Sequence, residues 1–212
     1  PVSGLNVLVV GGTRFMGIQL VKELLAKGNR VTIATRGTTS DTFGLSVNRL
    51  KMDISDAESV KRALGGKYFD VVFDNLAYCS LYVDHLLSNV HCGRYIQLSS
   101  IGLYGNLLID MKEEHFNPYV HPLEICDASV DYGKGKRQAE AIVYQKFKHV
   151  SAATVRIPYV TKTDRLYYYS KNIVKQLPMS IEDTSRGLAF IRDTEVGKFL
   201  PWLAAQDYTG PI

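Results

Sequence analysis

The chain has 212 residues, of which 46% are hydrophobic and 22% are charged, as expected for a globular protein with one sizeable core. The net charge of +4 is small and dispersed, which argues against a dedicated nucleic-acid binder and is compatible with an anionic ligand such as a phosphate. No apolar run approaches the roughly 20 residues that span a bilayer. Since the N-terminus also lacks a signal-peptide pattern, we expect a cytoplasmic protein without membrane contact.

The cysteines and histidines do not predict a metal site. Three cysteines, Cys79, Cys92 and Cys126, lack the close pairs that hold zinc or form a redox dithiol, so we interpret them as reduced and structural. The five histidines show no ligand spacing and are expected at the surface or at helix caps.

Short β-branched segments alternate with segments of helical period through most of the chain. The pattern predicts strands at residues 5–10, 31–35, 69–73, 95–99 and 153–156, with a further strand ending near Asp53. It predicts helices at residues 15–27, 82–90 and 133–148, with one more ending at Leu64. Because strands joined by helices run parallel, this order predicts a Rossmann-like α/β fold with a doubly wound parallel sheet.

Two segments depart from the alternation. Residues 104–131 contain two prolines and little periodicity, which predicts a long ordered loop over the carboxyl edge of the sheet. Beyond Pro158 the pattern predicts a helix at 166–177, a strand at 188–191 and a helix at 195–205, and the final TGPI resembles the entry to another strand. We therefore expect a dinucleotide-binding domain at residues 1–157 and a short, partial substrate region, interleaved with the end of the sheet, at residues 158–212.

Residues 7–17 read VLVVGGTRFMG and connect the first strand to the first helix. Gly11 would permit a tight turn, Gly17 would permit close packing of helix on sheet, and the helix N-terminus would offer N–H groups to a pyrophosphate. An ordinary strand-to-helix turn is the alternative. The residues expected to bind the dinucleotide here are Gly11, Thr13, Arg14, Phe15, Met16 and Gly17.

Two arginines favour NADP over NAD. An enzyme that prefers NAD usually ends its second strand with an acidic residue on the ribose, whereas VTIATRG has Thr35 and then Arg36 there, with no carboxylate. Arg14, which replaces the middle glycine of the loop, can make paired hydrogen bonds to phosphate oxygens. NAD stays the alternative, with Arg36 as a solvated turn residue.

A tyrosine, a lysine and two serines follow later in the chain. DYGKGKRQ places Tyr132 and Lys136 four residues apart at the start of a helix, where the ammonium would favour the phenolate. YIQLSSIGLYG ends a buried strand in Ser99 and Ser100, at the edge that carries the glycine loop. A hydroxyl there can hydrogen-bond a substrate oxygen while the tyrosine exchanges its proton and nicotinamide exchanges a hydride.

Together, VLVVGGTRFMG, FDVVFDNLAY, LSSIGLYG, YGKGK and VRIPYV resemble the extended short-chain dehydrogenase/reductase superfamily, specifically its NAD-dependent epimerase/dehydratase family. The resemblance implies that Tyr132 is the catalytic base, that Lys136 binds the nicotinamide ribose and that Ser100 is the catalytic hydroxyl. It further implies four positions beside the cofactor, namely Asp53 and Ile54 at the adenine and Leu76 and Ala77 along the cofactor. A helix cap at Asp53 and simple core packing at Leu76 and Ala77 are the alternatives.

The resemblance implies an oxidoreductase or isomerase acting on a sugar nucleotide or a related carbonyl compound. It also implies a homodimer through the helices at 82–90 and 133–148. The loop sequence GGTRF is shared with a subgroup that includes chloroplast stem-loop RNA-binding relatives. With the basic sequence KGKR, that likeness supports an alternative, a dinucleotide-binding regulator or RNA-interacting protein without turnover; a structural subunit is a third possibility.

Overall fold

A computed structural model describes residues 4–105, 111–161, 170–177 and 189–212. Its main sheet has seven parallel strands, which are β1 (Asn6–Val10), β2 (Arg30–Thr35), β3 (Asn48–Lys51), β4 (Lys67–Asp74), β5 (Val90–Ser100), β6 (Ala152–Ile157) and β9 (Gly210–Pro211). A small parallel sheet pairs β7 (Tyr159–Thr161) with β8 (Phe190–Arg192). The strand order β3-β2-β1-β4-β5-β6-β9 confirms the predicted doubly wound fold.

The helices cover both faces of the sheet. They are α1 (Met16–Ala26), α2 (Ala57–Leu64), α3 (Ser80–Leu87), α4 (Tyr132–Gln145) and α5 (Asp193–Ala204). One buried cluster joins α1 and α5 to the sheet through residues such as Val9, Leu24 and Leu200. The other joins α2, α3 and α4 to the opposite face through residues such as Val60 and Ile142. Among the described residues, no helix has the length and apolar content needed to cross a membrane.

Most predicted elements are present, with shifted ends. The helix predicted at 82–90 is wrong at both ends, because α3 already starts at Ser80 and Val90 belongs to β5, where it pairs with Lys67 of β4. Gly28 follows Lys27, the C-cap of α1, with a positive φ of 73°. The final TGPI does enter a strand, since β9 pairs with β6. The helix predicted at 166–177 and the start of the strand at 188–191 lie partly outside the described residues.

The order of the strands determines where a ligand can bind. The chain leaves β1 in one direction to β2 and β3, and later returns to place β4 on the other side of β1. At such a switch point the connections diverge, which opens a crevice at the carboxyl ends of β1 and β4. The glycine loop and the turn after Asp74 both lie at this crevice.

Candidate active site

The glycine loop has the close packing that its sequence predicts. Gly11 has a φ of 81°, and a Cβ added there would lie 2.8 Å from the Cγ of Leu76. A Cβ on Gly17 would lie 2.6 Å from the carbonyl oxygen of Gly11. Any side chain at either position would therefore displace the loop or the start of α1.

Arg14 connects the glycine loop to the loop that follows β2. Its Nε and Nη2 donate to the Oγ1 of Thr39 at 3.2 and 3.0 Å. The next residue, Phe15, has a φ of 46°, which is uncommon without glycine and occurs most often at functional loops. Arg14, Phe15 and Arg36 are all exposed, and Thr13 and Met16 are half-buried.

Asp53 and Ile54 lie beyond the end of β3, as the sequence predicts. The Asp53 carboxylate accepts hydrogen bonds from the backbone and hydroxyl of Ser55, which with the charge of Arg36 lower its pKa. Asp53 does not cap the next helix, because the side chain of Asp56 accepts from Glu58 N and starts α2. Ile54 is buried, and its carbonyl oxygen lies 2.9 Å from Nδ1 of His85.

The structure brings Ser100, Tyr132 and Lys136 together at the carboxyl end of β5. Asp131 accepts from Lys134 N and caps α4, so Tyr132 is the first helical residue. A Cβ on Gly102 would lie 3.2 Å from Cε1 of Tyr132 and 3.4 Å from Oγ of Ser100, so both side chains border the same glycine. Ser100 Oγ accepts from Gly102 N at 3.1 Å and keeps its own proton available for donation.

Lys136 is buried beneath Tyr132. Its Nζ donates to the carbonyl oxygen of Leu98 at 2.9 Å and lies 5.8 Å from the centroid of the Tyr132 ring. Burial lowers the pKa of Lys136 to about 8, against the opposing attraction of Asp74 and Glu140. At neutral pH the side chain is therefore still mostly protonated and able to favour the phenolate of Tyr132.

Sequence reasoning missed Tyr78, a second phenol in this site. Its ring centroid lies 5.0 Å from Nζ of Lys136, closer than that of Tyr132. A Cβ on Gly135 would overlap the carbonyl oxygen of Tyr78, which explains why α4 packs so closely here. Burial, together with the neighbouring Tyr132 and Asp74, raises the pKa of Tyr78. The available signal was its position directly after Leu76 and Ala77 in FDNLAYCS.

Buried polar atoms at the switch point fit a dinucleotide. Within the part of the chain that the structure describes, Oδ1 of Asn75 and Oγ of Ser99 are buried without a hydrogen-bond partner. The amide of Asn75 lies against the glycine loop, with Nδ2 at 3.4 Å from the carbonyl oxygen of Gly11. Buried polar groups are normally hydrogen-bonded, so these two atoms indicate a ligand or ordered water in the crevice. The described residues contain no cluster of His, Cys, Asp or Glu suited to a metal ion.

The strand order and the crevice at its switch point define a Rossmann-like α/β protein. Residues 7–85 match the model of the NAD dependent epimerase/dehydratase family, which confirms the resemblance predicted from the motifs. The matched residues include the glycine loop and the positions expected beside a cofactor, and the match ends before Ser100, Tyr132 and Lys136.

Solved structures of epimerases share the fold. Epimerase Mth375 of Methanothermobacter thermautotrophicus superposes with a TM-score of 0.77 at 19% identity, covering 99% of this chain and 71% of that chain. UDP-glucose 4-epimerase of Thermus thermophilus, in complex with NAD, gives 0.70 at 19% identity over 97% and 76%. WbmG of Bordetella bronchiseptica, in complex with NAD and UDP, gives 0.72 at 17% identity over 99% and 72%. At these identities the likeness is one of fold.

One curated relative has a different described role. The chain is 29% identical over 157 residues to the chloroplast stem-loop binding protein of 41 kDa b of Arabidopsis thaliana. The alignment covers 66% of this chain and 39% of the relative. The chain thus spans well under two thirds of that protein's length.

Proposed function

We propose that this chain forms the dinucleotide-binding part of an NAD(P)-dependent epimerase/dehydratase-type oxidoreductase that acts on a sugar nucleotide or a related hydroxyl or carbonyl compound. The observation that carries the proposal is the meeting of Ser100, Tyr132 and buried Lys136 at the edge that also holds the glycine loop. A fold kept only for binding has no chemical need for this combination. The names of the similar structures, UDP-glucose 4-epimerase among them, support the substrate class.

Each residue has a specific role in this proposal. The N–H groups at the start of α1 would hold the pyrophosphate, and Lys136 would donate to the nicotinamide ribose with the N–H groups that Leu98 does not use. The bound nicotinamide supplies hydride exchange at its C4. Ser100 donates its proton to the substrate oxygen, while Tyr132 takes a proton from that oxygen or returns one to it. The ammonium of Lys136 stabilises Tyr132 as phenolate when the proton has left.

We propose NADP as the preferred dinucleotide, with NAD as the alternative. Arg14 and Arg36 flank the loop after β2, where a 2′-phosphate would lie. Next to the Arg14–Thr39 contact, a cavity of about 350 Å³ is lined by Thr39, Asp41, Arg49 and Lys51 among others. Several similar structures were solved with NAD, so the argument for the phosphate rests on the two arginines of this chain and on the missing carboxylate after β2.

A titration with NADPH, NADH, NADP and NAD, followed by nicotinamide fluorescence and thermal stability, tests the proposal. Binding of any of them, with turnover of a nucleotide sugar that Tyr132→Phe abolishes, is the expected result. Tyr144→Phe is the matched control, since this tyrosine lies on the same helix and its hydroxyl bonds Thr154 away from the site. Absence of dinucleotide binding by the folded protein would overturn the proposal.

The RNA-binding alternative is supported by the curated relative. The basic sequence KGKR gives this alternative less support than expected, because each of the three basic side chains has a contact within the chain. Lys134 pairs with Glu124 at 2.7 Å, Lys136 is buried, and Arg137 donates to the carbonyl oxygen of Leu103. Tight RNA binding at physiological salt, where phosphate contacts weaken steeply, would favour this alternative.

The homodimer stays a proposal. The expected interface is formed by α3 and α4, and the structure describes every residue of both helices. Tyr132 is the one large apolar side chain that these two helices expose. Part of the outer side of α4 is used within the chain, since Gln145 donates to the carbonyl oxygens of Pro118 and His121. We therefore expect weak association through these helices, and a mass measurement in solution over a range of concentrations tests it.

A further inference from the structure

Asp74 is a buried carboxylate at the carboxyl end of β4, and the reaction described above assigns it no role. Its side chain is almost fully enclosed, with 1% of the residue exposed. Oδ1 accepts from Leu76 N at 2.8 Å, and Oδ2 accepts from the Tyr95 hydroxyl at 2.8 Å. Both donors are neutral, so these bonds alone would leave a negative charge on Asp74 uncompensated, which would be costly.

A candidate for the compensating cation is Lys136, which is held against the neighbouring strand β5. Asp74 pairs with Gln97 in the register of β4 and β5, and the next residue of β5, Leu98, accepts the hydrogen bond from Nζ of Lys136. Burial raises the pKa of Asp74, opposed by its two hydrogen bonds and by the charge of Lys136. Among the charges that oppose the lowering of the Lys136 pKa, the charge of Asp74 has the largest effect.

The other groups around Lys136 do not replace this partner. They are the phenols of Tyr78 and Tyr132, the thiol of Cys79 at the start of α3, and Glu140 on the same helix. The thiol is neutral at ordinary pH, because burial raises its pKa to about 11. Glu140 is already paired with Arg156 at 2.7 Å. Asp74 is therefore the anionic neighbour whose charge no other cation neutralises among the described residues.

We propose that Asp74 is a positioning residue that keeps Lys136 protonated and, through its bond to Leu76 N, holds the turn that packs against Gly11. The first effect concerns the ionisation of Lys136 alone and is measurable without any ligand. Its importance for nicotinamide binding and turnover rests on the proposed function. Asp74 would thus link Lys136, which binds the ribose in the proposed function, to Leu76, whose side chain packs against Gly11.

Asp74→Asn tests the charge with little change of shape, since the amide oxygen can still accept from Leu76 N. Without the anion, the protonated form of Lys136 loses its main attraction, and its titration midpoint should fall by on the order of one pH unit. Tyr144→Phe is the matched control, because it removes another buried hydroxyl from α4 without touching Asp74. In Tyr144→Phe, the titration midpoint of Lys136 should equal that of the wild type.

The midpoint is measured by NMR on protein labelled at the lysine side chains, with the Lys136 resonance assigned by its loss in Lys136→Met. An unchanged or higher midpoint in folded Asp74→Asn would overturn the proposal. If Asp74→Asn does not fold, the proposal is tested on the wild type instead. The NMR chemical shift of the Asp74 carboxyl carbon is then followed against pH in aspartate-labelled protein. An ionised carboxyl at neutral pH that shifts again as Lys136 deprotonates is expected, and a protonated carboxyl at neutral pH refutes the idea.

Dinucleotide affinity is then measured against pH in the same proteins. The pH at which binding weakens should be lower in Asp74→Asn than in the wild type and unchanged in Tyr144→Phe. If the wild type binds no dinucleotide, the proposed function fails while the NMR result for Asp74 stands. If binding is normal and the NMR midpoint does not move, the role of Asp74 fails while the proposed function stands.

Discussion

Arg156 and Glu140 form a buried ion pair, with Nη2 of the arginine 2.7 Å from Oε2 of the glutamate and neither side chain more than 2% exposed. The same guanidinium donates to the hydroxyl of Tyr104 and to the carbonyl oxygens of Glu113 and Phe116. Arg156 therefore ties the segment after β5 to β6 and to α4. Neither residue was singled out from the sequence, where Arg156 appears only within the motif VRIPYV.

Glu140→Gln should be strongly destabilising, because it leaves a buried guanidinium without its counter-charge. Breaking such a pair from one side typically lowers the free energy of unfolding by about 3–5 kcal/mol. Glu195→Gln is the control, since its pair with Lys198 is exposed and longer, at 3.5 Å, and should contribute little. Denaturant unfolding measures both, and equal effects of the two changes would contradict the assignment.

Gly17→Ala should weaken dinucleotide binding at least tenfold, since the added Cβ would displace the start of α1 from the glycine loop. Gly28→Ala, at the other end of the same helix, meets no atom within 4 Å but has a φ of 73°. It should lower stability by about 1 kcal/mol and leave affinity unchanged. Nicotinamide fluorescence titration and thermal unfolding of the two variants separate these effects.

Arg36→Asp should reverse the dinucleotide preference. The carboxylate can accept from a ribose hydroxyl and repels a 2′-phosphate, so the ratio of NADP to NAD affinity should fall by at least a factor of ten. Lys27→Asp makes the same charge change at an exposed residue at the far end of α1 and should leave the ratio unaltered. A wild type that already prefers NAD would show that Arg36 is a solvated turn residue.

The two phenols beside Lys136 should differ in their importance. Tyr132→Phe should lower kcat by about 10²-fold or more, as expected for loss of a general acid or base. Tyr78→Phe keeps the ring over Lys136 and should change kcat only a few-fold. Steady-state kinetics with a nucleotide sugar distinguish them, and a larger loss in Tyr78→Phe would transfer the proton-exchange role to Tyr78.

Lys136 should make stability depend on pH. Its folded pKa of about 8 lies below the ordinary value of 10.5, so between these values the unfolded chain binds a proton that the folded chain lacks. The penalty is complete below pH 8 and is relieved as the pH rises to 10.5. The unfolding free energy of the wild type relative to Lys136→Met should therefore rise by about 3 kcal/mol as the pH increases across this window.

The comparison of the two proteins isolates Lys136 from other groups. Burial also raises the pKa of Cys92 to about 11, so its titration lowers stability at high pH, but equally in both proteins. Denaturant unfolding at a series of pH values gives the difference. A constant difference across the window would mean that Lys136 has an ordinary pKa.

The sequence alone determined the architecture, because alternating strand and helix periods permit few topologies, and a glycine loop after the first strand marks the switch point. It also indicated Ser100, Tyr132 and Lys136 as candidate site residues, and the fold brings them to one edge of the sheet. The end of α3 was missed because cross-strand pairing of Val90 outweighs local helical period. Only the tertiary structure showed that Asp74, Tyr78 and the Arg156–Glu140 pair surround the site, since these contacts join residues far apart in the chain. Burial and charge compensation, which govern the ionisation of Lys136, are properties of that packing and have no local sequence pattern.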